Sequence, residues 1–583
     1  MFLRAGFALL VTAPLLATTP QPSRAQWNTD GTPLCVAPNP QRYPRLVSDG
    51  AGGAIVAWFD YRGGNWDIYA QHVLASGVVD PACPANGVVL CNAPNSQTYS
   101  QIVSDGAGGA IVSWQDMRNG SSDIYAQHML ASGAVDPTWA TNGVAICNAA
   151  DNQNYPQMVA DGAGGAIIAW VDWRDPASNV YAHHLLASGV VDPAWTADGN
   201  LACAAANNQE DLAIVSDGTG GAIVVWSDFR GGTQADIYAQ RVLASGAGDP
   251  AWPTDGRRLC GASGDQTTPA CVSDGAGGAV VAWQDRRMGA GSDLYAHHVS
   301  ASGIVDPLWT PDGTLLCNAA ENQNYPQIVS DGAGGAMVTW EDYRSGTGFD
   351  VYAQRVLASG TVDPSWASNG NSLCDAPNDQ TYPRIVADGA GGAIVIWCDG
   401  RGGGSDLYAQ HVLASGSADP DWVAGGALVC NAVDRQIYPE LIPDGAGGAL
   451  VTWFDYRSGV DSDIYAQRLH GNGSVTHVAS EGWESFTVRA PYPNPTGAAG
   501  TTLGLDLSTP RRVSASVYDV AGQLVRTLAV ERELPAGSHS VAWDGTTEGA
   551  RRAGPGLYFI LVRAGGVSFT RRVVLLHRRS TVR

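Results

Sequence analysis

The chain has 583 residues, of which 45% are hydrophobic and 15% charged, with 72 glycines and a formal net charge of −22. An ordinary apolar share with 8% aromatic residues argues against a disordered chain, and glycine without a triplet period excludes collagen. An acidic chain repels phosphate backbones, so we expect no nucleic-acid partner.

The charge is unevenly distributed along the chain. All 33 basic residues are arginine, and residues 489–583 hold 13 of them against six acidic residues, a net charge of +7. Residues 1–488 therefore carry −29. Two regions of opposite sign indicate at least two domains.

The N-terminus has the pattern of a secretory signal. An apolar run over residues 5–17 precedes Ser23 and Ala25, which are small residues at the −3 and −1 positions of a cleavage site. We predict that residues 1–25 form a signal peptide. A membrane anchor is the alternative, but the run falls short of the about 20 residues that a span requires. We expect a mature chain without a transmembrane segment, secreted or on the outer surface of a Gram-negative-type bacterium.

An internal repeat of 56 or 57 residues dominates the chain. The turn sequence Asp-Gly-x-Gly-Gly-Ala occurs eight times, starting at Asp49, Asp105, Asp161, Asp217, Asp274, Asp331, Asp388 and Asp444. A tryptophan follows nine residues after each aspartate: Trp58, Trp114, Trp170, Trp226, Trp283, Trp340, Trp397 and Trp453.

Each repeat contains four short strand candidates. They are rich in β-branched and aromatic residues and are bounded by glycine, Asp-Gly or Asp-Pro. The Asp-Gly-x-Gly-Gly turn tolerates positive φ, as a tight hairpin between the first two strands demands. Four antiparallel strands repeated eight times predict an eight-bladed β-propeller over residues 26–475. A seven-plus-one array and a β-solenoid are the alternatives.

The ends of the repeat array indicate how the ring closes. Residues 27–35 reproduce the fourth-strand segment, which the eighth repeat lacks. We therefore predict that the N-terminal strand completes the last blade and removes two exposed sheet edges.

Most repeated residues are interpreted as structural. The repeated tryptophan is expected to fill the core between blades. Each unit has Asp-x-Arg after this tryptophan, as in Asp60 and Arg62, and most add an aspartate such as Asp67, which Asn179 replaces in the third unit. Charge-assisted bonds within one hairpin loop are the favoured role. Calcium binding is the alternative, although the spacing matches no Asp-x-Asp-x-Asp loop. No other cofactor and no other metal is predicted.

Eight of the 11 cysteines share one repeat position: Cys35, Cys91, Cys147, Cys203, Cys260, Cys317, Cys374 and Cys430. We interpret them as buried thiols that act as small hydrophobes, too far apart to pair with one another. Cys83 stands where other units have a tryptophan, eight residues before Cys91. If that tryptophan packs on the repeat cysteine, Cys83 and Cys91 would lie close enough to form a disulfide, and the sequence does not decide whether they do.

A ligand site is expected where the repeats differ. The tyrosine of the Gln-x-Tyr-Pro motif is replaced in the fourth and fifth units, and these units also have Ala213 and Ala270 where most others have arginine or glutamine. These positions should share one face with the variable loops between second and third strands, which favours a glycan or peptide ligand. Drift among redundant repeats is the alternative. The candidates are Tyr43, Tyr99, Tyr155, Asp211, Thr268, Tyr325, Tyr382, Tyr438, Trp66 and Trp173.

A different module follows a linker at residues 476–488. Residues 489–583 alternate apolar and polar residues between turn signals, which predicts a small Ig-like antiparallel sandwich. At Pro491 to Pro495, Val513 to Arg526 and Arg571 to Leu576, this segment resembles the Ig-like domain of flagellar hook-capping proteins and the C-terminal sorting domain of type IX secretion cargo. The resemblance implies that the domain engages a secretion machinery. An adhesive or spacer module is the alternative.

The sequence leaves the function open between several classes. The repeats resemble uncharacterised bacterial secreted repeats of the W-x-D-x-R and D-I-Y-A-Q type. The leading hypothesis is a non-catalytic secreted or surface-attached binding or adhesion protein for a glycan, peptide or surface protein. The second is a polysaccharide hydrolase or lyase, for which no catalytic residue can be nominated, since the repeats offer many equivalent acids. A quinone-dependent dehydrogenase is the third, without matching docking motifs.

Overall fold

The structure is a computed structural model. It describes residues 27–289, 291–475, 486–488, 491, 494, 496, 500–507, 511–520, 523–535, 537–549, 551–564 and 567–576. The predicted signal peptide and most of the predicted linker lie outside these residues. The chain divides into two compact units, Met1–His477 and Val478–Arg583. Among the described residues there is no helix that could span a bilayer.

The first unit confirms the predicted eight-bladed propeller, with eight antiparallel four-stranded sheets. The first four blades contain β2 (Gln41–Ser48), β3 (Ala54–Asp60), β4 (Asp67–Val73), β5 (Val88–Cys91), β6 (Gln97–Ser104), β7 (Ala110–Asp116), β8 (Asp123–Met129), β9 (Val144–Cys147), β10 (Gln153–Ala160), β11 (Ala166–Asp172), β12 (Asn179–Leu185), β13 (Asn200–Cys203), β14 (Gln209–Ser216), β15 (Ala222–Asp228), β16 (Asp236–Val242) and β17 (Arg257–Cys260).

The remaining four blades follow the same order and include β1 (Thr32–Cys35) from the chain start. Their other strands are β18 (Gln266–Ser273), β19 (Ala279–Asp285), β20 (Asp293–Val299), β21 (Thr314–Cys317), β22 (Gln323–Ser330), β23 (Ala336–Asp342), β24 (Asp350–Val356), β25 (Asn371–Cys374), β26 (Gln380–Ala387), β27 (Ala393–Asp399), β28 (Asp406–Val412), β29 (Ala427–Cys430), β30 (Gln436–Pro443), β31 (Ala449–Asp455) and β32 (Asp463–Leu469).

The ring closes as the sequence predicts. The eighth sheet has the order β1-β32-β31-β30, with Thr32 opposite Ala466 and Cys35 opposite Ile464. A strand from the start of the described chain therefore pairs with β32 of the last blade, so β32 has a neighbour on both sides as the third strand of every other blade does.

The repeated tryptophan fills the space between neighbouring blades. All eight are fully buried. Trp114 of the second blade, for example, packs in one cluster with Ile55 and Ile68 of the first. Because each tryptophan contacts the preceding sheet, the core is one interlocked ring of blade interfaces.

An ion pair between a fully buried carboxylate and a half-buried arginine ties each blade together next to this tryptophan. Asp60 is fully buried, accepts a 2.9 Å hydrogen bond from Trp58 Nε1, and pairs with Arg62 at 2.5 Å. Arg62 also donates to the carbonyl of Asn86 at 2.7 Å, and its guanidinium lies 4.0 Å from the ring centre of Tyr69. We call this arrangement the Asp–Arg hub. It occurs in all eight blades.

The repeat cysteines belong to these hubs, so their interpretation as plain hydrophobes was incomplete. Arg62 donates to Cys35 Sγ of the preceding blade at 3.0 Å, and the other hubs repeat this contact at 2.9–3.4 Å. Burial raises the pKa of Cys35 to about 12, so the thiol stays neutral. The cysteine thus links one blade to the guanidinium of the next.

The disulfide that the sequence left as an alternative between Cys83 and Cys91 does not form, because both thiols are free. The tryptophan that Cys83 replaces packs on a glycine of the following blade, as Trp139 does at Gly189, rather than on the repeat cysteine. Cys83 accordingly points to Gly133, with its Sγ 3.7 Å from that carbonyl oxygen. Cys91 lies in the hub of Arg118 instead.

The opposite end of each blade carries a second polar bridge. The Asp49 carboxylate accepts from the backbone N–H groups of Ala51 and Gly53, which fixes the predicted hairpin turn. His72 then contacts Asp49 at 3.0 Å and Asp80 at 2.8 Å through its two ring nitrogens. Five blades use histidine here and three use arginine: His72, His128, His184, His298, His411, Arg241, Arg355 and Arg468.

The second unit is the predicted Ig-like sandwich. One sheet contains β33 (Phe486–Val488), β34 (Thr501–Leu507) and β37 (Gly537–Trp543). The other contains β35 (Arg511–Asp519), β36 (Leu524–Leu534), β38 (Gly556–Ala564) and β39 (Val567–Leu575). Its core includes Trp543 and Tyr558, whose ring centres are 4.9 Å apart.

The Asp–Arg hub gives the first testable prediction. Arg230→Met leaves the fully buried Asp228 without its guanidinium, and we expect a loss of about 3–5 kcal/mol in the free energy of unfolding. Urea unfolding followed by tryptophan fluorescence measures it. Arg258→Gln is the matched control, because Arg258 is exposed on the outer strand β17 and should change stability by less than about 0.5 kcal/mol. Equal effects of both substitutions would contradict this role.

Candidate functional site

A bulge in every innermost strand positions the predicted ligand residues. The pairing of β2 with β3 shifts register between Arg42 and Arg45, and Tyr43 within the bulge has φ of 53°. The other seven inner strands have the same bulge with φ of 49–55° at Tyr99, Tyr155, Asp211, Thr268, Tyr325, Tyr382 and Tyr438. Positive φ is costly for non-glycine residues, and bulges of this kind redirect side chains. Here they carry all eight candidates to one end of the inner strands.

Five of the tyrosines lie on one arc of this ring. Tyr382 and Tyr438 have ring centres 4.3 Å apart, Tyr438 and Tyr43 are 5.2 Å apart, and Tyr99 and Tyr155 are 5.0 Å apart. Burial and the hydrogen bond with Tyr382 raise the pKa of Tyr438 to about 12, so its hydroxyl stays neutral. We call these five residues the tyrosine arc.

Phe59 links the two halves of the tyrosine arc. Its ring centre lies 5.5 Å from that of Tyr43 and 6.5 Å from that of Tyr99. Phe59 occupies the position directly after the repeated tryptophan, where the eighth blade also has a phenylalanine, Phe454, and the other six blades have different residues. The ring centre of Phe454 lies 5.5 Å from that of Tyr43 and 5.3 Å from that of Tyr438, so both phenylalanines lie on the same side of the ring of blades.

The fourth and fifth blades interrupt the aromatic ring with polar groups. The Asp211 carboxylate accepts a 3.1 Å hydrogen bond from Ser227 and a 3.4 Å bond from the backbone N–H of Thr268. Asp211 and Thr268 line a cavity of about 400 Å³ together with Tyr325 of the sixth blade. The repeats therefore make a ring whose two sides differ in chemistry.

The aromatic side contains a separate cavity of about 480 Å³. We call it the aromatic cleft. Trp66 lines it, with its ring centre 6.4 Å from Phe59 and 5.0 Å from Tyr61. The aromatic cleft is lined by Arg42, Tyr43, Pro44, Arg45, Phe59, Trp66, Thr98, Tyr99, Ser100, Gln101, Arg384, Tyr438 and Glu440.

The two predicted tryptophans therefore differ. Trp66 lines the aromatic cleft, at a position where five other blades have serine: Ser122, Ser178, Ser292, Ser405 and Ser462. Trp173 is half-buried and lines neither the aromatic cleft nor the polar cavity of the fourth and fifth blades.

Charged residues of the aromatic cleft were missed by the sequence reasoning. Arg45 and Arg384 both bond to the same carboxylate oxygen of Glu440, Arg384 at 3.0 Å. Burial alone would raise the pKa of Glu440, but the two arginines hold it below its usual value. These residues follow the proline of the Gln-x-Tyr-Pro motif, at the position that Ala213 and Ala270 occupy in the fourth and fifth units, and leucine replaces the proline in the fourth unit. The variation seen at those alanines was the available signal.

A second carboxyl group lies beneath the tyrosine arc. Glu341 is 4% exposed and accepts a 2.7 Å hydrogen bond from the backbone N–H of Tyr382. Burial raises its pKa. Glu341 does not line the aromatic cleft.

The buried glutamines of the same motif are structural. Gln41 is fully buried, and its side-chain amide donates to the carbonyls of Ala37 and Asn39 in the loop between blades. In the part of the chain that the structure describes, no group of three or more His, Cys, Asp or Glu side chains could hold a metal ion. The calcium alternative therefore gains no support from the geometry.

Comparison with known proteins extends the description of the fold. Residues 494–566 match the FlgD Ig-like domain family. No curated protein matches the chain significantly. Among solved structures, the β-propeller domain of the Trilobed protease from Pyrococcus furiosus is 9% identical with a TM-score of 0.34, covering 63% of this chain and 95% of that one.

Two further structural neighbours differ in kind. PorZ, a bacterial surface component of the type-IX secretion system of Porphyromonas gingivalis, is 13% identical with a TM-score of 0.26, covering 91% of this chain and 81% of that one. The alpha-L-arabinanase of Penicillium chrysogenum is 13% identical with a TM-score of 0.32, covering 56% and 94%. Likenesses at this level do not identify what this chain binds.

Asp67, one of the repeated aspartates of the calcium alternative, gives a prediction of how stability depends on pH. Burial, and then the opposing Asp60, raise the pKa of Asp67 to about 6, against about 3.9 for an unfolded aspartate. Between these pH values the folded chain retains a proton that the unfolded chain has released, so stability falls as the pH rises. Asp67→Asn should therefore raise Tm at pH 8 and change it little at pH 4.5.

Calorimetry in EDTA and in calcium checks this prediction. The third blade already has Asn179 at the same position, which shows that the fold accepts the amide. A lower Tm for Asp67→Asn at pH 8, seen only in calcium, would mean that the carboxylate holds a cation.

Proposed function

We propose that this protein is a secreted or cell-surface, non-catalytic binding protein whose propeller holds a glycan in the aromatic cleft. The observation that carries the proposal is the one-sided tyrosine arc. Tyr43, Tyr99 and Tyr155 are exposed although each sits in a strained backbone conformation. A merely structural ring would not require large exposed aromatic residues at such positions, whereas a cleft with aromatic walls and a few polar groups suits a ligand.

The carboxylates favour binding over hydrolysis. A glycoside hydrolase places two carboxyl groups about 5–9.5 Å apart on either side of the bond that it cleaves. Of the described residues lining the aromatic cleft, Glu440 alone is acidic, and two arginines already neutralise it. A single paired carboxylate supports recognition rather than acid–base catalysis.

One observation keeps a polysaccharide-active enzyme as the second candidate. The environment raises the pKa of Glu341 and lowers that of Glu440, and divergent carboxyl pKa values are typical of acid–base pairs. A polysaccharide degradation screen with the wild type and Glu440→Gln tests it. Degradation that is lost in the variant would replace the binding proposal with the enzymatic one.

Trp66→Ser tests the binding site. Serine occupies this position in five other blades, so the fold should be retained, while one wall of the aromatic cleft is lost. We expect binding on a glycan array to weaken up to about tenfold, since the strongest aromatic contacts, of about 1.5 kcal/mol, correspond to that factor.

Phe349→Ser is the matched control for Trp66→Ser. Phe349 is the aromatic residue at the same position of the sixth blade and does not line the aromatic cleft. It should leave binding unchanged. Equal losses in the two variants, or no glycan bound by the wild type, would contradict the proposed site.

We further propose that residues 489–583 direct export to the cell surface. The match of residues 494–566 to an Ig-like family and the N-terminal signal pattern support a module that acts after passage through the inner membrane. The partner of this module would be the secretion machinery of the outer membrane.

Deletion of residues 489–583 tests the export role. We expect the truncated protein to accumulate in the periplasm, because it would lack the module that directs export across the outer membrane. Cell fractionation and surface proteolysis of intact cells measure its location in a host that secretes the full chain. Unchanged surface exposure of the truncated protein would refute the role and favour an adhesive or spacer module.

A further inference from the structure

The aromatic cleft has a charge opposite to that of the propeller around it. Arg42, Arg45 and Arg384 line it against the single acidic residue Glu440, which gives a net charge of +2. Residues 1–488 together carry −29. In a strongly acidic protein, most surface cavities should be negatively charged. The positive charge of this cavity therefore indicates a role at the cavity itself, such as binding a ligand.

The arginines keep donor capacity for a ligand. A guanidinium has five N–H donors. The hydrogen bonds in the structure use one N–H group of Arg45, which donates to Glu440, and two of Arg384, which donate to Glu440 and to the Pro383 carbonyl. Glu440 therefore orients both side chains while it satisfies only part of their donors.

Arg42 joins the charge to the aromatic wall. It donates a 3.4 Å hydrogen bond from Nε to Ser462 Oγ, and its guanidinium lies 5.8 Å from the ring centre of Trp66. A ligand that contacts Trp66 is thus within reach of a cation. Of the described residues that line the polar cavity of the fourth and fifth blades, none is an arginine, and Asp211 is among them.

We propose that the ligand of the aromatic cleft is an acidic oligosaccharide, whose sugar rings pack on Trp66, Tyr43 and Tyr99 and whose anionic groups bind Arg42, Arg45 and Arg384. This inference rests on the proposed function. Planar guanidinium groups donate paired hydrogen bonds to carboxylates, and bonds of this kind also suit sulfate. Glu440 competes with the ligand for two of the arginines and so sets the affinity.

Two substitutions should shift the affinity in opposite directions. Arg42→Gln removes one cation without disturbing Glu440, and we expect the Kd for tetragalacturonate to rise about tenfold, the factor typical of a charged hydrogen bond. Glu440→Gln raises the net charge of the cleft and releases both arginines. We expect the Kd to fall about fivefold, the order of one unit charge at 4 Å in water.

Calorimetric titration of the full secreted chain measures these values. The probes are tetragalacturonate, its fully methyl-esterified form and a heparin-derived tetrasaccharide, which separate carboxylate from neutral and from sulfate recognition. Arg258→Gln on the outer strand β17 is the charge-matched control and should leave the Kd unchanged. Because Arg42 lies outside the Glu440 pair, its variant stays informative if Glu440→Gln does not fold.

The outcomes separate this inference from the proposed function. Binding of either acidic probe, with opposite shifts for Arg42→Gln and Glu440→Gln, supports an acidic ligand. Equal affinity for the acidic and methyl-esterified probes, with no effect of either variant, overturns the acidic ligand and leaves a glycan site in place. No binding of any probe, together with an empty glycan array, overturns both.

Discussion

The rest of the propeller depends on one buried interaction, the Asp–Arg hub. In each blade a fully buried carboxylate holds the tryptophan indole and an arginine of the following turn, and that arginine reaches a carbonyl of its own blade and a cysteine of the preceding one. A buried carboxylate stabilises a fold only when its oxygens are hydrogen-bonded, and Asp60 accepts from the Trp58 indole, the Arg62 backbone N–H and the Arg62 guanidinium. Arginine suits this position because its planar fork donates in several directions at once and stacks on the neighbouring tyrosine.

Because the hubs hold the blades together, the end of the inner strands that carries the eight candidates has no structural task. Blade contacts are made by the tryptophans and hubs, so residues such as Tyr43, Arg45 and Glu440 can vary from blade to blade without loss of the core. The bulge supplies the same backbone geometry eight times, and the side chains then differ. The result is an asymmetric cleft on a nearly symmetric scaffold, which is the arrangement that a specific ligand requires.

Much of the fold could be predicted because the physical signals are local and repeated. Turn glycines, alternating strands and a tryptophan at fixed spacing identified the blades, and the split repeat identified ring closure by β1. The disulfide considered for Cys83 was wrong, because the neighbour of Cys83 is Gly133 of the next blade rather than Cys91 of its own blade. The role of the repeat cysteines was understated for the same reason, since Arg62 reaches Cys35 across a blade boundary.

The sequence by itself determined the number of blades, the closing strand, the Ig-like module and the ring that carries the eight candidates. Periodicity and turn chemistry act within one repeat, so they can be seen without coordinates. Only the tertiary structure decided which variable residues meet. Arg384 and Glu440 come from the consecutive seventh and eighth blades, and ring closure adds Arg45 of the first blade to form one ion-paired group beside Trp66. Contacts between residues so far apart in the chain depend on how neighbouring blades pack around the closed ring, and no local pattern encodes which side chains then meet.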